Sequence, residues 1–121
     1  MQDSADSPLF TTRIAVVVSD RPTAEMLHMF FRLMEFEIAL VEDDFRALDT
    51  IRRAAPAVVL LDLDLPDLRA LELAREIGEE FNVIFMTACG AVPPDGAPVV
   101  PKPGRRFEEY LSLLEVVLER C

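Results

Sequence analysis

Apolar runs of strand length alternate along the chain with longer stretches of helical periodicity. RIAVVV (13–18) is continuously apolar after its first residue, FEIALV (36–41) alternates in part, AVVLL (57–61) is apolar throughout and NVIFMT (82–87) nearly so. Each has the length and valine or isoleucine content of a strand. Between them, PTAEMLHMFFRLME (22–35) sets Leu27, Phe30, Phe31 and Met34 on one helical face and Glu25, His28, Arg32 and Glu35 on another, with Pro22 in the first turn, where its missing N–H costs nothing. DDFRALDTIRRAA (43–55) predicts a second helix with Phe45, Leu48 and Ile51/Arg52 at helical spacing, stopped by Pro56. LRALELAREIGEE (68–80) predicts a third with Leu71, Ala74 and Ile77/Gly78 inward. RRFEEYLSLLEVVLER (105–120) closes the pattern with Phe107, Tyr110/Leu111, Leu114 and Leu118 on its core face.

The rhythm breaks once. Residues 88–104, ACGAVPPDGAPVVPKPG, hold five prolines and three glycines in 17 positions, too many breakers for a helix of ordinary length. Only PVV (98–100) offers a short strand. Continuous apolar strands alternating with helices imply a parallel sheet covered on both faces. Five strands are expected, with the helix between the fourth and fifth lost or reduced to a turn.

Composition narrows the function. At 121 residues and 51% apolar, the chain builds one core, filled by aliphatics and Phe because Trp is absent and Tyr occurs once. A net charge of −10 argues against binding nucleic acid or an anionic membrane. No apolar run nears the roughly 20 residues of a membrane span. The acidic start, MQDSADSPLFTTR, is unlike a signal peptide, and residues 1–11 read as a mobile tail before a single domain over 12–121, with no output domain. Cys89 and Cys121 lack metal-ligand spacing and suit a reducing, cytoplasmic setting. His28 is the only histidine, so a multi-histidine metal site is excluded, and it reads as a surface residue.

In doubly wound sheets, function gathers beyond the carboxyl ends of the strands. There the chain delivers Ser19 and Asp20 after the first strand, Asp62 after the third, Thr87 after the fourth and Lys102 after the fifth. Asp, Ser and Thr also cap helices, which is the plainer reading of any one of them. Together, two carboxylates, a hydroxyl and an amine suit phosphoryl transfer. Carboxylates hold Mg²⁺, one can attack phosphorus, and the ammonium, hydroxyl and metal share the charge on the equatorial oxygens.

These residues lie in VVVSDRP, VVLLDLDLPD, VIFMTA and PKP, and over about 13–120 the chain resembles the receiver domain of two-component response regulators. The resemblance implies a flavodoxin-like fold, Asp62 as phosphoacceptor, Pro66 as the loop proline, Thr87 as switch hydroxyl and Lys102 as partner of the acyl phosphate. It further implies Mg²⁺ held by Asp20, Asp62 and the backbone carbonyl of Asp64, whose side chain influences the phosphoryl lifetime, and a cis Lys102–Pro103 bond. A histidine kinase or phosphotransfer protein would be the donor and protein–protein contact the output.

Four departures stand out. Ser19 replaces a usual second acid, so its share in holding metal is weak and water-mediated. Arg21 either reaches into the acidic site or points to water. Val99 replaces the aromatic switch. The short 88–98 segment resembles a truncated subgroup of receivers, some served by HWE-type histidine kinases, and suggests a loop that orders on phosphorylation. Met26, Met29 and Leu33 on the first helix are either the margin of a wide core stripe or a docking surface. A homodimer is expected through Leu113, Val116 and Val117 or through the first helix. Two rivals remain. LLDLD also fits the Asp-x-Asp pair of haloacid-dehalogenase-like phosphatases, but the chain is short for them. A degenerate receiver-like module would bind partners without phosphorylation.

Overall fold

The computed structural model describes residues 12–93 and 97–121. The expected tail, 1–11, lies outside them. The elements follow in the order β1 (Arg13–Val17), α1 (Arg21–Leu33), β2 (Glu37–Leu40), α2 (Ala47–Ala54), β3 (Val58–Asp62), a 3₁₀ turn (Pro66–Leu68), α3 (Arg69–Ile77), β4 (Asn82–Thr87), β5 (Val99–Pro101) and α4 (Phe107–Arg120). All strand pairs are parallel and the sheet order is β2-β1-β3-β4-β5. That is the flavodoxin-like doubly wound order. The strand order reverses between β1 and β3, so the crevice for function opens at their carboxyl ends.

Strand period divides the core into two layers. Ile14, Val16, Val58, Leu60, Ile84 and Met86 face α1 and α4, meeting Phe30, Phe31, Tyr110, Leu113 and Val117. Ala15, Val17, Val59, Leu61 and Phe85 face α2 and α3, meeting Ala47, Ile51, Ala70, Leu73 and Ile77. Burial of a side chain such as Phe31 contributes about 1.5–3 kcal/mol. Both faces of β1 and β3 are covered, which is why their sequences are apolar throughout rather than alternating.

Among the described residues no helix lies between β4 and β5. A right-handed crossover there would pack on the α3 side of the sheet. In its place a groove of about 380 Å³ opens, lined by Ala74, Phe81, Val83, Phe85, Ala97 and Pro98.

Two helices are rotated from the faces that periodicity predicts, while α2 keeps Leu48 and Ile51 inward as predicted but starts later. Phe45 is 89% exposed rather than in the core. Asp44 forms a turn, its carboxylate accepting from Arg46 N at 2.9 Å and its carbonyl from Ala47 N at 3.0 Å, so α2 begins only at Ala47. In α3 the buried row is Ala70, Leu73 and Ile77, not Leu71, Ala74 and Ile77/Gly78. Left-handed backbone at Asp67 and Leu68 delays the helix to Arg69 and turns it. In α4 the buried row is Tyr110, Leu113 and Val117, while Phe107, Leu111 and Leu118 are exposed. Tyr110 sets this: its ring lies 5.3 Å from that of Phe30 and its hydroxyl donates to Gly104 O at 2.7 Å. The proposed dimer face of Leu113, Val116 and Val117 is therefore withdrawn, because Leu113 and Val117 are inside the chain's own core and Val116 packs against it. On α1, Met26, Met29 and Leu33 are exposed rather than part of the core stripe, and His28 is exposed as expected.

Candidate functional site

The sheet register assembles the site. Asp62 is the last residue of β3, opposite Met86, and Thr87 follows on β4. Thr87 pairs with Pro101, and Lys102 N donates to Thr87 O at 2.8 Å. The loop after Lys102 is pinned from α4, where Glu109 Oε1 accepts from Gly104 N at 2.9 Å and Arg106 N at 3.2 Å. The Lys102–Pro103 bond, expected cis, is trans. Trans is the favoured isomer of X-Pro by about 0.5–1 kcal/mol, and the bond to Thr87 O with the pinned loop already aims the lysine inward.

Asp62 is wholly buried, the only buried charged group among the described residues. Its Oδ2 accepts from Ser19 N and Ser19 Oγ, both at 3.1 Å, and lies 2.8 Å from Lys102 Nζ. Its Oδ1 accepts from Asp64 N at 2.8 Å. Four donors thus offset the desolvation of one carboxylate. Asp20 does two things at once. Its Oδ2 caps α1, accepting from Thr23 N at 3.0 Å and Thr23 Oγ1 at 2.5 Å, while its Oδ1 lies 3.2 Å from Lys102 Nζ. The capping reading of Asp20 holds, and its second oxygen is left facing the Lys102 ammonium. Arg21 points away, its guanidinium 3.8 Å from Glu25.

Asp64 is placed by its side chain as well as by its backbone N–H. Oδ1 accepts from Thr87 Oγ1 at 2.8 Å and lies 3.1 Å from Cys89 Sγ; Oδ2 accepts from Ala88 N at 2.8 Å and lies 3.9 Å from Lys102 Nζ. Ala88 N and Cys89 were missed in the sequence. The parallel register held the signal, since Asp64 follows Asp62 by two residues and Thr87 follows its partner Met86 by one. Val99 is 40% exposed on the edge strand and makes no aromatic contact with Thr87.

Electrostatics bind the cluster together. Burial pushes the Asp20 carboxyl up, but bonds from Thr23 and the Lys102 ammonium outweigh it and hold it below its ordinary value of 3.8. Burial likewise raises Asp64, and the donors on Ala88, Cys89 and Thr87 with the Lys102 charge more than reverse it. Burial lowers Lys102, and Asp62 and Asp20 more than restore it, above 10.5. The signs fix a pH window. The acids contribute stability that is complete above their unfolded value and lost as pH falls through their depressed one. The lysine contributes stability that is complete below its unfolded value and lost as pH rises through its raised one. Urea midpoints should therefore hold from about pH 5 to about pH 10 and fall outside it.

Among the described residues no three acid, thiol or imidazole side chains cluster to enclose a metal. The site offers instead the Asp20 and Asp62 carboxylates sharing one ammonium, with the Asp64 carboxylate 3.9 Å from it. Hard oxygen donors of this number fit Mg²⁺, which keeps several waters.

A profile of the response regulator receiver domain matches residues 14–95. The chain belongs to that family. Receiver domains accept a phosphoryl group on aspartate and are signalling modules rather than turnover enzymes. This receiver domain is 30% identical over 118 residues to response regulator MprA of Mycobacterium sp. (strain KMS), covering 89% of this chain and 51% of that protein. It is 36% identical over 78 residues to DNA-binding response regulator MtrA of Mycolicibacterium paratuberculosis, covering 63% of this chain and 35% of that one. The receiver thus spans about half, or less, of these curated relatives. Its fold is similar to response regulator TrrA of Thermotoga maritima in complex with Mg²⁺-BeF, at a TM-score of 0.72 and 24% identity over 88% of this chain and 99% of that one. TrrA in complex with histidine kinase ThkA superposes at 0.70, with 24% identity over 89% and 99%. No helix among the described residues is long and apolar enough to cross a membrane.

Proposed function

We propose that this receiver accepts a phosphoryl group on Asp62 from the phosphohistidine of a histidine kinase or phosphotransfer protein and relays the signal by protein–protein contact in the cytoplasm. The observation that carries the reading is the convergence of Asp62 and Asp20 on the Lys102 ammonium. An Asp62 oxygen attacks phosphorus, the P–N bond breaks, and its electron pair returns to the imidazole nitrogen. Lys102 stays against the acyl phosphate, and the Thr87 hydroxyl and Ala88 N–H lie where its oxygens need donors. Bound by the Asp20 and Asp62 carboxylates and the Asp64 carbonyl, with Ser19 through water, Mg²⁺ would neutralise charge on the transferring group. The fold likeness to TrrA, solved with both a kinase and Mg²⁺-BeF, supports the choice of donor and cation.

Ser19 in place of an acid and the exposed Val99 favour a second reading, a module that binds partners unphosphorylated. Beryllofluoride with Mg²⁺ separates the two. Amide shifts should move around Asp62 and Thr87; unmoved spectra at saturating reagent would refute the phosphoacceptor role. Ser19 also yields a graded test. Ser19→Asp adds a charge beside the cation site and is expected to tighten Mg²⁺ by about tenfold, or about 1.4 kcal/mol, by titration calorimetry. Without Mg²⁺ the same change should lower the urea midpoint, because a third carboxylate then crowds Asp62 and Asp20.

A further inference from the structure

We propose that the Asp64 carboxylate occupies the phosphoryl-binding donors before phosphorylation, so that a phosphoryl group on Asp62 must displace it. The inference rests on the acceptor role of Asp62 and goes beyond it. Three donors surround the space beside Asp62: the Thr87 hydroxyl, the Ala88 N–H and the Lys102 ammonium. Asp64 engages the first two at 2.8 Å each, one with each oxygen, and stands 3.9 Å from the third. Two anionic oxygens thus fill the places that two phosphoryl oxygens would take. The backbone of Asp64 is in turn held by the acceptor itself, through Asp64 N to Asp62 Oδ1 at 2.8 Å. Changing the charge and bulk at Asp62 therefore pulls on the segment that carries the competing carboxylate.

The displacement has a readout built into the fold. Asp64 is tied to the first residues of the 88–98 segment through Ala88 N and Cys89 Sγ. Thr87 Oγ1, which donates to Asp64, also accepts from Cys89 N at 3.2 Å and Ala91 N at 3.1 Å. A phosphoryl group that takes Thr87 and Ala88 from Asp64 frees Cys89 from its carboxylate partner and changes the load on this turn. The signal then enters the segment that stands where other receivers carry a helix, with no aromatic rotor required.

The test compares the wild-type chain with Asp64→Ala and with the isosteric Asp64→Asn, titrated with beryllofluoride and Mg²⁺. Removing a competitor that holds charge-assisted hydrogen bonds should tighten beryllofluoride by about tenfold in Asp64→Ala, with a smaller gain in Asp64→Asn. The gain should persist in about 1 M salt, where the Debye length is about 3 Å. In the absence of any ligand, the Ala88 amide should exchange faster with solvent in Asp64→Ala than in wild type. Equal or weaker beryllofluoride binding by Asp64→Ala overturns the displacement, weaker binding being what a cation-holding role for that carboxylate demands. A gain that vanishes at high salt overturns it as well, leaving only through-space repulsion. If neither wild type nor variant binds, the acceptor reading fails and this inference falls with it. If wild type binds and Asp64→Ala binds no better, only this inference falls.

Discussion

Asp62→Asn is expected to abolish phosphoryl acceptance while leaving the fold intact. The amide keeps an oxygen for the donors on Ser19 or Asp64 and the volume of the wholly buried side chain. It lacks an anionic oxygen, and no other carboxylate stands in its place. The Asp20 oxygen nearest the lysine belongs to a side chain committed to Thr23, and Asp64 is committed to Thr87 and Ala88. Incubation with a phosphorylated histidine kinase should label wild type and leave Asp62→Asn unlabelled, with both proteins showing the same circular dichroism. Labelling of the variant at the wild-type rate would move the acceptor elsewhere.

The largest expected effect on stability is at Lys102. Lys102→Met removes the one cation among the described residues in contact with Asp62, which is fully buried, while conserving most of the side chain's volume. Removing one partner of a buried pair costs about 3–5 kcal/mol. Asp62 keeps three N–H or O–H donors, from Ser19 N, Ser19 Oγ and Asp64 N, which places the expected loss near the lower end, about 3 kcal/mol. Urea unfolding at neutral pH measures it directly. Mg²⁺ should recover part of the loss, because a cation beside Asp20 and Asp62 replaces the missing ammonium charge. A midpoint equal to wild type without Mg²⁺ would mean that the lysine is not the counter-charge of the site.

Much of this was legible from residues alone, for a physical reason. β1 and β3 are covered on both faces, so their apolar runs are unbroken, and an acid at the end of such a run has no packing explanation. The carboxyl-end rule then brought Asp20, Asp62, Thr87 and Lys102 to one edge, and the register of β3, β4 and β5 places them there. The density of proline and glycine after Thr87 likewise pointed to the absence of a helix between β4 and β5, where none lies among the described residues. What periodicity could not supply was helix rotation. Asp44 delays α2, left-handed Asp67 and Leu68 turn α3, and the Tyr110 hydroxyl on Gly104 turns α4; each is a single hydrogen bond or backbone state that outweighs a row of similar aliphatics. Phe45 consequently points to water beside Arg46, and the apolar surplus assigned to Leu113 and Val117 is core. The contacts of the Asp64 side chain with Thr87, Ala88 and Cys89 were missed because spacing along one strand does not show what the neighbouring strand presents to it. The trans Lys102–Pro103 bond was missed because the isomer depends on the pinned loop and not on the dipeptide.

The central claim is that the Asp62 carboxylate becomes the acyl phosphate. Phosphorylating the chain in Mg²⁺, reducing the product with borohydride and sequencing the peptides by mass spectrometry reads the modified position directly. Homoserine is expected at position 62 and nowhere else; unmodified Asp62 with conversion at Asp20 or Asp64 would place the acceptor elsewhere.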